Sequence, residues 1–187
     1  MKITSLIFIA FLFYTSCRNV HHKARSTSTN QGNLISTSGK VISILDGDTY
    51  DILFTDKTTE RIRMQGIDAP EKGMPYYKVA KNYLGELCSG QEVKLKITGK
   101  DHHDRTLAWS YLPDGTELSH EMLKAGLAWH FTKYNNDKDM AELESTAKAN
   151  KTGLWADPNP MTPWDNRKYH RQGISTKDSF NNQNEGE

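Results

Sequence analysis

Five short segments in which apolar residues recur at every second position, three before a helical stretch and two after it, limit this chain to few folds. "KVISILDGDTYDILF" reads as a strand, an Asp-Gly-Asp turn and a second strand alternating at Tyr50, Ile52 and Phe54. "TERIRMQGID" alternates at Ile62 and Met64, "EVKLKIT" at Val93, Leu95 and Ile97, and "RTLAWSYL" at Leu107, Trp109 and Tyr111. Alternation of this kind places one face of each strand against a core and the other in solvent.

Helical spacing interrupts the strands. In "YYKVAKNYLGELCSG" the positions Val79, Ala80, Tyr83, Leu84, Leu87 and Cys88 follow a 3.6-residue period that stops at Gly90, so Cys88 is expected to pack in the core. "SHEMLKAGL" starts on a candidate cap, Ser119, and "DKDMAELESTAKANKTGLW" starts near Asp137 and turns Met140, Leu143 and Ala147 inward. Strands, helix, strands, then helices is an α+β order. A five-stranded Greek-key barrel of the OB type with about three packed helices fits it.

The ends read differently. Lys2, the apolar run Leu6 to Phe13 and "YTSC" have the layout of a secretory signal peptide over residues 1–17. Eight apolar residues fall short of the ~20 that span a bilayer. Cys17 resembles the lipidated cysteine of a bacterial lipobox, although Tyr14 stands where an aliphatic residue is usual. Residues 18–39 are polar, carry no acid and read as a flexible linker. Residues 40–170 read as the folded domain and 171–187 as a disordered tail. The expectation is an exported monomer, anchored to the membrane of the cell envelope through Cys17 or otherwise secreted.

Charge excludes a simple basic DNA-binding protein. The chain has 24 Lys+Arg against 23 Asp+Glu; Lys2 is the one charged residue in the first sixteen, so 23 of each sign remain beyond them. Any attraction for a polyanion must come from local groups.

Such groups cluster at strand ends: Asp46-Gly-Asp48-Thr49, Arg63, Asp68-Ala-Pro-Glu71 and Arg105. Carboxylates gathered together repel unless a cation or arginines neutralise them, and oxygen ligands select Ca²⁺ or Mg²⁺. Two arginines beside a metal make a clamp for phosphate, and a free carboxylate can act as general base on water. Taken singly, "DGDT" is more often a mere hairpin turn and a strand arginine more often solvated.

In this order, however, "DGDTYDI", "RIRMQGIDAPE", "DRTLAWSYLPDGTELSHEMLKAGLAW" and "KTGLWADPNP…PW" resemble the staphylococcal nuclease family, over about Lys40 to Trp164. The resemblance implies an OB-fold, calcium-dependent hydrolysis of DNA and RNA, and products with 3′-phosphate ends. It implies Asp48, Asp68 and the carbonyl of Ala69 as calcium ligands, with Asp46 as a further acid near the metal. Glu71 would activate water, and Arg63 and Arg105 would hold the phosphate. Tyr134 matches a tyrosine near the substrate, whereas Thr132 stands where another tyrosine is expected. His103-Asp104 replaces a common Tyr-Gly before Arg105, and a glycine there points to a backbone with positive φ. "DHHD", Asp101 to Asp104, looks like a transition-metal site, but adjacent histidines are expected to point apart and no zinc-type spacing accompanies them. Two rival readings are a non-catalytic OB-fold envelope lipoprotein that binds single strands by stacking and a structural lipoprotein that leaves the charged cluster unused.

Overall fold

The computed structural model describes residues 35–176. The expected signal segment 1–17, with Cys17, lies outside the described residues. Strands β1 (Ile35–Ile44), β2 (Thr49–Leu53), β3 (Thr59–Met64), β5 (Glu92–Lys100) and β6 (Thr106–Tyr111) close a barrel in the order β1-β2-β3-β6-β5, with β4 (Ile67–Asp68) leading out of it. β5 pairs back with β1, from Ile35↔Ile97 to Lys40↔Glu92. All neighbours are antiparallel except β3 and β6. The first strand therefore begins five residues before the expected domain boundary at 40. Backbone pairing, which polar residues such as Ser36 and Thr37 satisfy as well as apolar ones, extends the barrel into the expected linker.

The apolar residues expected to face inward do so in three strands: Tyr50, Ile52, Ile62, Met64, Val93 and Leu95 are fully buried. β6 is the exception. Its buried residues are Thr106, Ala108 and Ser110, while Leu107, Trp109 and Tyr111 take the other, half-buried face. The barrel interior is already filled by Tyr50, whose hydroxyl donates to Ser110 Oγ at 2.7 Å, so this wall has room only for small side chains.

The helices pack over the barrel. α1 (Tyr77–Cys88) buries Ala80, Leu84 and Cys88, spaced four apart on one stripe, and leaves Val79 exposed. Burial pushes the Cys88 thiol up to about 12, consistent with a packing role. α2 (Leu118–Lys124) is capped by Glu117, whose carboxylate accepts from the His120 amide at 2.8 Å; Ser119, the expected cap, lies inside the helix and donates to the Gln65 carbonyl instead. α3 (Lys138–Ala149) starts after Asp137, which accepts from the amides of Asp139 and Met140. β7 (Trp129–His130) pairs with β4 outside the barrel.

A fourth helix, α4 (Pro163–Arg171), was not expected. It buries only Pro163 and Asn166, so no apolar period marks it. Its start is nonetheless legible: Thr162 Oγ1 accepts from the Asp165 amide, and Pro163 occupies the first turn. Thr176, inside the expected disordered tail, is buried. Among the described residues no helix is long and apolar enough to cross a membrane.

Candidate active site

The strand register brings the two expected phosphate-binding arginines to one face. Arg63 in β3 sits beside Leu107 of β6, Arg105 directly precedes β6, and both arginines line the same cleft. Ile62 and Met64 point into the barrel. Arg63 points out but is also buried, because the Asp46–Asp48 turn and β4 fold over it.

That turn is tightly built. Asp46 Oδ1 accepts from the Asp48 amide at 3.0 Å, and the Leu45 amide reaches the Thr49 carbonyl. A Cβ on Gly47 would lie 2.8 Å from the Cβ atoms of Ala69 and Ala80, so the turn is pressed between β4's exit and α1. Gly47→Ala is therefore expected to displace Asp48, cost about 1–3 kcal/mol as an overpacked contact, and lower turnover. Thermal unfolding alongside rate measurement checks it, and a variant with wild-type stability would refute the crowding.

Around Arg63 the acids converge. Its Nη2 lies 3.2 Å from Asp48 Oδ2 and 3.1 Å from Asp68 Oδ1, and its Nη1 donates to the Met64 carbonyl at 2.7 Å. Asp48 Oδ2 also accepts from the Ala69 amide at 2.7 Å, and Asp48 Oδ1 from Thr49 Oγ1 at 2.8 Å. Burial, reinforced by repulsion from Asp48, pushes the Asp46 carboxyl up to about 7. Burial likewise raises Asp68 above the usual carboxylate range, while hydrogen bonding and attraction from Arg167 and Arg63 oppose it.

Among the described residues no three His, Cys, Asp or Glu side chains form a group that could hold a metal. Asp48 and Asp68 offer the oxygen donors that a hard divalent cation takes, and in this structure Arg63 engages both of them.

Arg167 of α4 is the residue that sequence reasoning missed. Its Nη2 lies 2.6 Å from Asp68 Oδ2 and its Nη1 2.7 Å from Glu71 Oε1. Burial works against its charge, but the bonds to Asp68 and Glu71 outweigh burial and hold its pKa above the ordinary arginine value. Asn166 donates from Nδ2 to Glu71 Oε2 at 3.1 Å and accepts from Thr176 Oγ1 at 2.7 Å. Pro163 at a helix start was the signal available in the sequence; nothing local shows that this helix turns back onto residues a hundred positions earlier.

Arg105 is held by Asp101, with Nη2 2.7 Å and Nε 2.8 Å from Oδ2. Asp101 Oδ1 also accepts from the amides of His103 and Arg105 and folds the 101–105 segment into a turn. Asp104 takes φ 60°, as the expected positive φ requires, and its exposed carboxylate pairs with Lys100 at 3.0 Å rather than with Arg105. His102 and His103 do not point apart; in this turn their ring centroids lie 3.8 Å from each other.

Asp46, Asp48, Arg63, Asp68, Glu71, Asp101, Arg105 and Arg167 line one cleft of about 1470 Å³ together with Thr132, Tyr134 and Trp164. Tyr134 is exposed and meets Phe131 edge-on at 5.2 Å, and Trp164 of α4 stacks on Phe131 at 5.5 Å. The cleft thus joins buried carboxylates, guanidinium groups and an aromatic ledge.

Comparisons with known proteins point to one family. Residues 61–157 match the family model described as staphylococcal nuclease homologue. A protein of Escherichia coli O157:H7 described as an uncharacterized endonuclease is 36% identical over 126 residues, covering 67% of this chain and 82% of its own. A micrococcal nuclease of Shigella flexneri is 37% identical over 136 residues, covering 67% and 78%. A staphylococcal-like nuclease of Arabidopsis thaliana is 39% identical over 113 residues, 60% of this chain but 35% of its own. With a closed five-stranded barrel carrying acids and arginines at the ends of β3, β4 and β6, this chain belongs to the staphylococcal nuclease family.

Proposed function

We propose that this nuclease is a calcium-dependent phosphodiesterase that hydrolyses DNA and/or RNA and leaves 3′-phosphate ends. The observation that carries the reading is the convergence of Asp48 and Asp68 on Arg63, with Glu71 and Arg105 facing the same cleft.

Asp48, Asp68 and the Ala69 carbonyl would hold the cation, which when bound supplies positive charge to the phosphate oxygens. Arg63 and Arg105 bind the phosphate through two-pronged N–H donation and stabilise the extra charge that develops on it as water attacks. Glu71 takes a proton from that water. The new bond forms at phosphorus, the bond to the 5′-oxygen breaks as that oxygen takes a proton from solvent water to become a hydroxyl, and the phosphate stays on the 3′-oxygen. Tyr134, with Phe131 and Trp164, offers rings on which a neighbouring base can stack.

Chelation is expected to abolish hydrolysis of labelled single-stranded and duplex DNA and RNA by purified residues 18–187, and Ca²⁺ is expected to restore it better than Zn²⁺. Full activity in chelator would remove the metal assignment. Products that a polymerase extends only after phosphatase treatment would support 3′-phosphate ends. Tight strand binding without cleavage would favour the non-catalytic module.

The protein is further proposed to act outside the cytoplasm on a lipid anchor at Cys17, a reading that rests on "YTSC" and the polar segment behind it. Cys17→Ala should release it from membranes or block its maturation, as read by fractionation and intact mass. An unchanged membrane fraction would argue for simple secretion.

A further inference from the structure

Glu71 stands on a loop with its side chain 34% exposed, a position in which a glutamate would ordinarily sample several rotamers. Here both carboxylate oxygens are held by α4, at Oε1 by Arg167 Nη1 and at Oε2 by Asn166 Nδ2. Asn166 is 2% exposed and Thr176 is 3% exposed, so neither is a surface contact of convenience. The orientation of the chain of bonds follows from chemistry. A carboxylate can only accept, so the Asn166 amide nitrogen must face Glu71, its oxygen must face Thr176, and the Thr176 hydroxyl must donate.

We propose that α4 and the turn after it supply positioning residues for Glu71, with Asn166 and Arg167 each fixing one carboxylate oxygen and Thr176 fixing the direction of Asn166. The inference rests on the reading of Glu71 as the base. α4 lies beyond residues 61–157, the stretch that matches the family model. Two donors occupy two of the roughly four lone-pair sites of an ionised carboxylate, which leaves a site on each oxygen for water. Arg167 also bonds Asp68, so a single guanidinium sets the spacing between Glu71 and Asp68. A base held in advance spares the reaction the cost of orienting it, and misplacement by about 1 Å can cost 10²-fold in rate.

The test is a kinetic cycle on the full chain with Asn166→Ala, Glu71→Ala and the double variant, using an oligonucleotide substrate at saturating Ca²⁺. Asn166 is chosen because Arg167 also touches Asp68. Asn166→Ala should lower kcat by about 10–100-fold with KM little changed, and should cost nothing further once Glu71 is alanine. Thr176→Val, which keeps the shape but loses the hydroxyl, should lose activity in the same parameter, whereas Thr176→Ser should keep it. A methyl-packing role would give the reverse order. A folded Asn166→Ala with wild-type kcat, or one whose loss persists in full without Glu71, overturns the proposal. If Asn166→Ala does not fold, the Thr176 pair decides by itself. Near-wild-type turnover in Glu71→Ala would instead overturn the reading of Glu71 as base, a distinct failure visible in the single variant.

Discussion

Arg63→Ala is expected to damage stability and catalysis together. The Arg63 side chain is 11% exposed and sits within 3.2 Å of two carboxylates that are themselves 8% and 5% exposed. Removing one partner of a buried ion pair leaves uncompensated charge and costs about 3–5 kcal/mol. Arg167 still faces Asp68 on its other oxygen, so the burden falls on Asp48. Loss of its proposed donation to the phosphate adds an expected fall in kcat of about 10²–10³. A cation that binds the folded state neutralises the same carboxylates, so Ca²⁺ should recover more stability in the variant than in the parent. Thermal unfolding with and without Ca²⁺, alongside steady-state rates, reads both effects. Arg63→Lys should restore part of the stability but little of the rate, because the planar fork is lost. Parental stability and turnover in Arg63→Ala would remove the residue from the site.

Glu71→Ala should separate the two effects. Its pair with Arg167 is one-third exposed on both partners, and such pairs contribute roughly 0–1 kcal/mol. Arg167 keeps its 2.6 Å bond to Asp68 when Glu71 is gone, so α4 stays docked. With Glu71 as the proposed base, kcat is expected to fall by about 10²–10⁴, and with substrate held through Arg63, Arg105 and the aromatic ledge, as proposed, KM should change little. An unfolded Glu71→Ala would show that the α4 contacts are structural supports first. A folded variant with parental kcat would end its assignment as the base.

The contrast between these two residues could not be drawn from the chain alone. "RIRMQGIDAPE" shows an arginine in a strand and two acids after it, and period two places Arg63 on the face opposite Ile62 and Met64. An outward strand position ordinarily means solvent. Burial of Arg63 comes from the Asp46–Asp48 turn and β4 closing over that face, a tertiary event. The same reasoning erred on β6, where Leu107, Trp109 and Tyr111 were expected inside. Hydrophobicity ranks the two faces of a strand, but volume decides when the interior is already occupied, and Tyr50 leaves room only for Thr106, Ala108 and Ser110.

By itself the sequence determined the class of fold, the positions of β2, β3, β5, α1 and α3, and the set of acids and arginines at the strand ends. These are local or periodic properties: side-chain alternation, helical spacing, turn residues and the clustering of charge within a few positions. Only the tertiary structure decided that α4 exists as part of the site, that Arg167 joins Asp68 to Glu71, and that Asn166 and Thr176 hold the remaining carboxylate oxygen. The physical reason is separation along the chain. Contacts between residue 71 and residues 166 and 167 carry no period and no motif, and α4, docked through ion pairs and hydrogen bonds as well as the stacked Trp164 ring, leaves no apolar stripe to read.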